Sequence, residues 1–460
     1  MLLRLRIQGF KNLKDTEIRF GPLTCFVGRN GVGKSNIFDA IQFLRLLSER
    51  EIQDAAAEVR SPLSGGYGPL DLFRGSRGSS PIHLEADMVV PLDVLDDFGE
   101  SARPSSNFLR YAVSFRSTTE PRPRLELVEE ELAPLPSKDL REILGFHHSA
   151  AFRRSLVSTG RRKGKFISTE RTDSDQVQIR LHQDGGSRGR PVSPGRSPRT
   201  VLGGTNTREY PTVLAARREM ETWHSLHLEP SSLRTPDSLN TEGPVTEHGA
   251  GVAATLRRLQ QSEGTGRVLA EAANRLSRLV PEVERLVIDQ DETRQQLTVR
   301  AQIRGTAQTF GPRALSDGTL RFLALVTMQM DTRGSRVLCL EEPENGIHPS
   351  RIPCMVQLLR DYSLDPELPV GEDNPARQVV INSHSPEVLK QTRVEEVLFV
   401  ESSADPDGPS AIVASIEGSW RKNGPRVTSR HLAAILGGAP LDAALKRQLA
   451  LPFAVAEERA

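Results

Sequence analysis

The chain has 460 residues, 37% of them hydrophobic with 36 glycines besides, enough apolar material for one large or two ordinary domains and too much for wholesale disorder. Its 60 basic and 59 acidic residues nearly cancel, so no global field draws it to polyanions, and any nucleic-acid contact must come from a local basic patch. The alternating Met1–Ile7 stretch does not read as a signal peptide, and no apolar run approaches the roughly 18 residues of a membrane span, so a soluble, cytoplasmic chain without a membrane partner is expected.

In chain order, Leu3, Leu5 and Ile7 alternate with Arg4 and Arg6, the period of a half-buried strand. Phe10–Asp15 reads as a turn and Thr16–Phe20 as the returning strand. Leu23–Val27 is a continuous apolar run, as in a strand buried on both faces. A helix is expected from Lys34 to Ser48, with Ile37, Ile41, Leu44 and Leu47 on one side. Ser61–Ser80 is rich in Gly, Ser and Pro and reads as a loop. Ile82–Val90, Phe108–Phe115 and Arg124–Glu130 read as an antiparallel sheet. From Ala151 to Thr200 the composition turns basic, 12 Arg or Lys against four Asp or Glu, and only Gln176–His182 alternates like a strand.

Helical spacing returns at Val213–Thr222, Val252–Gln261 and Thr265–Leu279, followed by strands at Glu284–Ile288 and Gln296–Ile303. The last third alternates: a helix after Ser316, a strand at Arg336–Leu340, a helix at Ser350–Tyr362, a strand at Gln378–Asn382 and a helix at Pro386–Thr392. That order implies α/β layers around a parallel core. No apolar heptad pattern persists long enough for a coiled-coil arm. Cys25, Cys339 and Cys354 lack metal-ligand spacing and read as buried free thiols.

Four motifs carry chemistry. Gly28-Arg29-Asn30-Gly31-Val32-Gly33-Lys34-Ser35 fits the phosphate-cradling loop G-x-x-x-x-G-K-[ST] between a buried strand and a helix. Its glycines let backbone N–H groups and a helix N-terminus converge on ATP phosphates, Lys34 reaches the β- and γ-phosphates, and Ser35 ligates Mg²⁺. Val337–Glu342 is an apolar strand ending in paired carboxylates, of which Glu341 is assigned to the metal and Glu342 to the attacking water. Gln378–His384 delivers His384 to the same kind of strand end, where it would meet the γ-phosphate or the water. Ser316, Asp317 and Gly318 open an apolar helix, a helix cap and also a γ-phosphate site.

These elements resemble the ABC-type ATPase heads of the SMC/RecF/OLD class, often labelled AAA family ATPases. The matching residues are Gly9–Leu13, Gly28–Ser35 with Asn36, Asp39 and Ala40, Leu315–Thr319, Glu341–Glu344 with Gly346, His348 and Pro349, and Asn382–Pro386. The resemblance implies an α/β ABC-type P-loop head with a mixed or parallel core sheet, an antiparallel β subdomain and a helical lobe. In chain order that gives an N-terminal ATPase lobe (1–135), a basic, loop-rich and helical segment (136–248), and a C-terminal lobe (249–460) ending in a hairpin and helices. It also implies a head-to-tail dimer enclosing two ATPs, with Ser316, Asp317 and Gly318 of one subunit meeting the γ-phosphate held by Lys34 of the other. Lys11 and Asn12 would line the adenine or ribose side, and Asn36 would complete the cradle.

Two departures stand out: Glu341 occupies a place where most P-loop ATPases carry Asp, and no Gln between Gly66 and Glu85 presents itself as a lid residue. The lack of an arm argues against chromosome-tethering SMC proteins. Val397–Glu401 with Asp405 and Asp407 faintly resembles the acidic signature of a Toprim nuclease, but reads better as a hairpin with Pro409–Ile416, and no nuclease is expected. The resemblance leads to an ATP-hydrolysing protein that dimerises around ATP and acts on DNA or on an effector nuclease, in anti-phage defence (the Septu-type subunit is one candidate) or DNA repair. The basic segment Arg153–Arg199 would track a DNA backbone or serve as a plain solvated loop. The alternative is a weakly hydrolysing, ATP-dependent scaffold for a partner effector; a transporter ATPase ranks third, against the Ser-Asp-Gly motif.

Overall fold

The computed structural model describes residues 1–59, 68–75, 80–118, 123–158, 164–171, 177–186, 189–194, 197–263, 267–422 and 424–428. The principal strands are β1 (Leu2–Phe10), β2 (Leu13–Arg19), β3 (Leu23–Val27), β4 (Ile82–Val89), β5 (Phe108–Thr118), β6 (Arg124–Pro134), β7 (Ile167–Arg171), β8 (Val177–Leu181), β9 (Arg190–Val192) and β10 (Trp223–Leu226). They continue with β11 (Val283–Asp291), β12 (Gln296–Ile303), β13 (Val337–Glu341), β14 (Gln378–Ser383), β15 (Val397–Ser403), β16 (Ser410–Ile416) and β17 (Arg426–Val427). The helices that frame the site are α1 (Lys34–Glu49), α2 (Pro211–Glu221), α3 (Pro230–Arg234), α4 (Val252–Glu263), α5 (Arg267–Leu279), α6 (Asp317–Met330), α7 (Ile352–Tyr362) and α8 (Pro386–Gln391).

The core sheet has seven strands in the order β10-β13-β14-β3-β15-β16-β17, parallel except for the antiparallel β15–β16 hairpin. It is covered on both faces, which is why its strands are continuous apolar runs. Phe26, Cys339, Val380 and Val400 pack toward α1 and α2, through Ile37, Phe38, Ile41, Leu44, Val213 and Leu214. Leu23, Cys25, Leu338 and Ile381 pack the other way, onto α5, α6 and α7. The second sheet has eight strands, β9-β8-β7-β6-β5-β4-β1-β2, all antiparallel. The expected α/β class, parallel core and antiparallel subdomain are all present, as is the hairpin of β15 and β16.

Several boundaries differ from the sequence reading. The turn expected over Phe10–Asp15 shrinks to Lys11 and Asn12, because β1 and β2 pair as far as Phe10 and Leu13. β1 is buried on both sides rather than half-buried: Arg4 is only 7% exposed, tied to Asp87 at 2.8 Å and to Glu17 and Glu85. The antiparallel sheet runs through the division drawn at residue 135, since β7, β8 and β9 of the basic segment extend its edge. β10, from the same segment, joins the core sheet. Cys25 and Cys339 are buried, whereas Cys354 is exposed on α7. Parts of the Ser61–Ser80 loop, parts of the basic segment (159–163, 172–176, 187–188, 195–196) and the helices expected after the hairpin lie outside the described residues.

One buried acid locks the antiparallel sheet to α1. Glu130 of β6 is fully buried and accepts hydrogen bonds from the backbone N–H of Val201 (2.6 Å) and Leu202 (2.8 Å) and from the Tyr111 hydroxyl (3.1 Å). The turn it holds lies against the end of α1: the Thr200 hydroxyl donates to the Leu47 carbonyl at 3.3 Å, and a Cβ on Gly203 would stand 2.2 Å from that oxygen. Burial pushes the Glu130 carboxyl from the ordinary 4.5 up to about 7. The folded state therefore holds this proton more tightly than the unfolded chain. Its contribution is full below about pH 4.5 and is lost as pH rises through about 7, some 3 kcal/mol at about 1.36 kcal/mol per unit. Glu130→Gln, though less stable overall, should flatten the pH dependence of the urea midpoint between 4.5 and 7. A slope equal to wild type would show that Glu130 titrates normally.

Candidate nucleotide-binding site

Neighbouring strands β13, β14 and β3 run parallel, so their C-terminal ends open on one edge of the sheet. In α/β sheets such an edge is where ligands bind. The loop after β3 leads into α1, whose N-terminal N–H groups carry partial positive charge. Two glycines are required by their surroundings. A Cβ on Gly28 would lie 2.1 Å from the Val400 carbonyl of β15; Gly33, at φ +109°, would put one 2.5 Å from the Asn12 amide.

Asn12 braces this loop. Its Nδ2 donates to the Val32 carbonyl at 3.0 Å, and its Oδ1 accepts from Asn36 Nδ2 at 2.8 Å. Its own carbonyl accepts from the Ala411 N–H (2.9 Å) and from Arg74 Nη1 (3.2 Å). The Lys34 ammonium donates to the carbonyls of Gly28 (2.7 Å) and Arg29 (2.8 Å). Burial lowers its pKa, while Glu342, Glu344 and Glu341 act in the opposite sense. The ring of loop groups fits a polyphosphate: donors line a glycine-shaped cradle, with one cation at its base.

Ser35 Oγ donates to Glu341 Oε2 at 3.2 Å, bringing together the two residues assigned to a metal. A hydroxyl beside a carboxylate is the hard-oxygen set Mg²⁺ takes together with phosphate oxygens and water. Among the described residues, no three or more His, Cys, Asp or Glu side chains gather into a metal-holding group.

Glu342 adopts φ +44°, a left-handed backbone unusual for a non-glycine residue. Asn382 holds it there, accepting from the Glu342 N–H through both its carbonyl (3.1 Å) and its Oδ1 (3.0 Å). One Glu342 oxygen meets His384 Nδ1 at 2.9 Å and the other accepts from Asn345 Nδ2 at 2.8 Å. Glu344 is buried, accepts the Ser383 hydroxyl, and has its pKa raised by that burial, so it is not part of a solvated acidic cluster.

The remaining expected residues lie elsewhere. Ser316 is the N-cap of α6, accepting from the Thr319 N–H at 3.2 Å, and Asp317 pairs with Arg234 of α3 at 2.5 Å. A Cβ on Gly318 would come 3.5 Å from the Gly346 carbonyl. These neighbours belong to α3, α6 and the loop after β13, not to the phosphate loop of the same chain. Lys11, at φ +49°, sends its ammonium to Asp39 of α1 at 2.7 Å, both side chains being buried. Sequence reasoning gave no role to Asn382, Asn345, Arg321 or Arg234. Asn382 lay within a quoted motif, Asn345 takes its place from a local turn onto Glu342, and Arg321 and Arg234 owe theirs to tertiary contacts.

The family described as "AAA domain, putative AbiEii toxin, Type IV TA system" matches residues 23–390, from β3 to beyond His384. An OLD nuclease of Thermus scotoductus is 33% identical over 136 residues, 25% of this chain and 25% of that protein. The DNA replication and repair protein RecF of Phocaeicola vulgatus is 44% identical over 45 residues, 10% of this chain and 12% of that protein. The chain thus spans an eighth to a quarter of the length of these curated relatives. A solved SMC head bound to the C-winged helix domain of ScpA has a TM-score of 0.49 at 12% identity, over 91% of this chain and 98% of that one.

Removing the brace without touching the cradle tests how far the loop is preorganised. Asn12→Ala should weaken ATP binding about tenfold, the worth of one or two hydrogen bonds. Titration calorimetry showing unchanged affinity would reduce the Asn12 contacts to ordinary packing.

Proposed function

The chain belongs to this AAA-domain family as an ATPase of the SMC/RecF/OLD type, and from that premise we propose that it binds and hydrolyses Mg-ATP between two copies of itself. The observation that carries this reading is the convergence of Ser35, Glu341, Glu342 and His384 on one sheet edge, through contacts of 3.2 and 2.9 Å. The loop N–H groups and Lys34 hold the β- and γ-phosphates, and Arg29, Asn30, Gly31 and Val32 supply the wall of the cradle. Mg²⁺, held by Ser35 and Glu341, would neutralise charge on the phosphate oxygens. Glu342 takes the proton of the attacking water as its oxygen bonds to the γ-phosphorus and the bridge to the β-phosphate breaks. His384 steadies that carboxylate and, with it, the water.

The N-terminus of α6, with Ser316, Asp317 and Gly318, meets the γ-phosphate held by the partner, which fits its lack of a role at its own phosphate loop. Lys11 and Asn12 stay on the adenine or ribose side, where they shape the loop from behind. Relatives named for DNA repair and for nuclease activity support an output on DNA or on an effector nuclease, with DNA repair or anti-phage defence as the setting. The family description adds a toxin–antitoxin context. Among the described residues no helix is long and apolar enough to cross a membrane.

Three variants separate binding, closure and chemistry. Lys34→Ala should abolish ATP binding in calorimetry. Glu342→Gln should keep binding, lose about 10²–10⁴ in turnover, and accumulate an ATP-bound dimer visible by light scattering. Ser316→Arg should bind ATP as a monomer and hydrolyse none; normal hydrolysis by that monomer would refute the composite site. A wild type that dimerises yet turns over no faster than Glu342→Gln would be a scaffold instead.

A further inference from the structure

The loop after the paired carboxylates connects two parts of the proposed mechanism that belong to different ATP sites. Asn345 donates from its side-chain amide to Glu342 Oε2 at 2.8 Å, and its N–H bonds the Glu342 carbonyl at 3.0 Å. Its own carbonyl accepts from Nη1 of Arg321, one turn into α6. The next residue, Gly346, stands at φ +76° with its carbonyl against Gly318, 3.5 Å from where a Cβ would be. Glu342 is therefore oriented from both sides, one oxygen to His384 and one to Asn345, on a backbone that Asn382 keeps left-handed. Each carboxylate oxygen retains a lone pair for a water proton, so this arrangement aims the base without blocking it.

We propose that Asn345 is a positioning residue for Glu342, and that Arg321 links it to the N-terminus of α6. This rests on the ATPase reading above. In a dimer, the α6 N-terminus of each subunit faces the partner's nucleotide while Glu342 serves the subunit's own. Arg321, Asn345 and Glu342 then form a three-residue path by which γ-phosphate engagement at one site sets the carboxylate at the other. The path is local, made of hydrogen-bonded groups, and can be tested as a coupling energy.

The test is a double-mutant cycle on steady-state ATP hydrolysis by the full chain. Asn345→Ala should lower kcat about tenfold or more with KM for ATP within about twofold, as expected when a base loses its aim and binding is untouched. The isosteric Asn345→Asp, which replaces the donor with a second carboxylate, should fall at least as far. Arg321→Ala should lower kcat less, and Arg321→Ala with Asn345→Ala should match Asn345→Ala alone. Melting temperatures should stay close to wild type, since Asn345 is exposed. A double variant whose loss is the product of the single losses would overturn the link through Arg321. Wild-type kcat in Asn345→Ala or Asn345→Asp would overturn the positioning role. Absence of turnover in the wild type would instead remove the ATPase reading and this inference with it.

Discussion

The register of β14 between β13 and β3 is the constraint on which the site depends. Asn382 stands opposite Glu341 on one side and Phe26 on the other, so the metal-side carboxylate, the clamp on Glu342 and the root of the phosphate loop are level. A slip of one residue would turn Asn382 away and carry Ser383 and His384 past Glu342. The start of the strand is pinned as firmly. Gln378, fully buried, takes the Leu2 N–H at 2.7 Å and donates to the carbonyls of Leu2 (2.8 Å) and Gly21 (3.1 Å), which ties β14 to the first strand of the antiparallel sheet. A buried amide has to satisfy these bonds to be tolerated, and by doing so it fixes the relation of the two sheets.

Electrostatics at that edge are balanced by opposing terms. Lys34 loses solvation, which favours its neutral form, while three nearby carboxylates favour the ammonium. Glu344 is pushed toward its neutral form by burial and held by the Ser383 hydroxyl, with Glu342 adding to the push and His384 opposing it. A triphosphate bound here would add negative charge, which the partial charges of the α1 N-terminus and the loop N–H groups would answer alongside Lys34. This explains why the loop is shaped by steric limits at Gly28 and Gly33: the donors have to converge, and side chains there would strike Val400 or Asn12.

What the sequence revealed were features encoded locally. The phosphate loop, the Ser316 cap and the acidic strand end are each contained in a few consecutive residues whose spacing already states the chemistry. The hairpin of β15 and β16 was legible for the same reason, as two apolar runs flanking a polar turn. Asp405 shows the limit of such reading. Its acidic surroundings invited comparison with a nuclease, yet it bonds Lys14 at 2.7 Å and Arg74 at 3.0 Å, and the Lys14 hydrogen bond leads the causes that hold its carboxyl at about 2. Arg234 with Asp317 and Arg321 with Asn345 were invisible, because each pair joins residues distant in sequence and leaves no periodic trace. Strand β7 and the edge strand β9 were missed because the charged and turn-forming residues around them mask a pairing that the neighbouring strands supply.

The two ends of the motif set also prove to be one mechanical unit. The β1–β2 turn supplies Asn12, which grips the phosphate loop at Val32 and Asn36, while the terminal hairpin grips Asn12 through the Ala411 N–H. Arg74 closes the bracket from a third segment, donating to Asn12 and Gly408 and pairing with Asp405. β15 then lies directly behind Gly28. The loop that would meet ATP is thus held on one side by β15 and on the other by a turn which the same hairpin secures. Displacing the loop must strain contacts both to the β1–β2 turn and to the β15–β16 hairpin, and that is the physical basis for treating these segments as one mechanical unit.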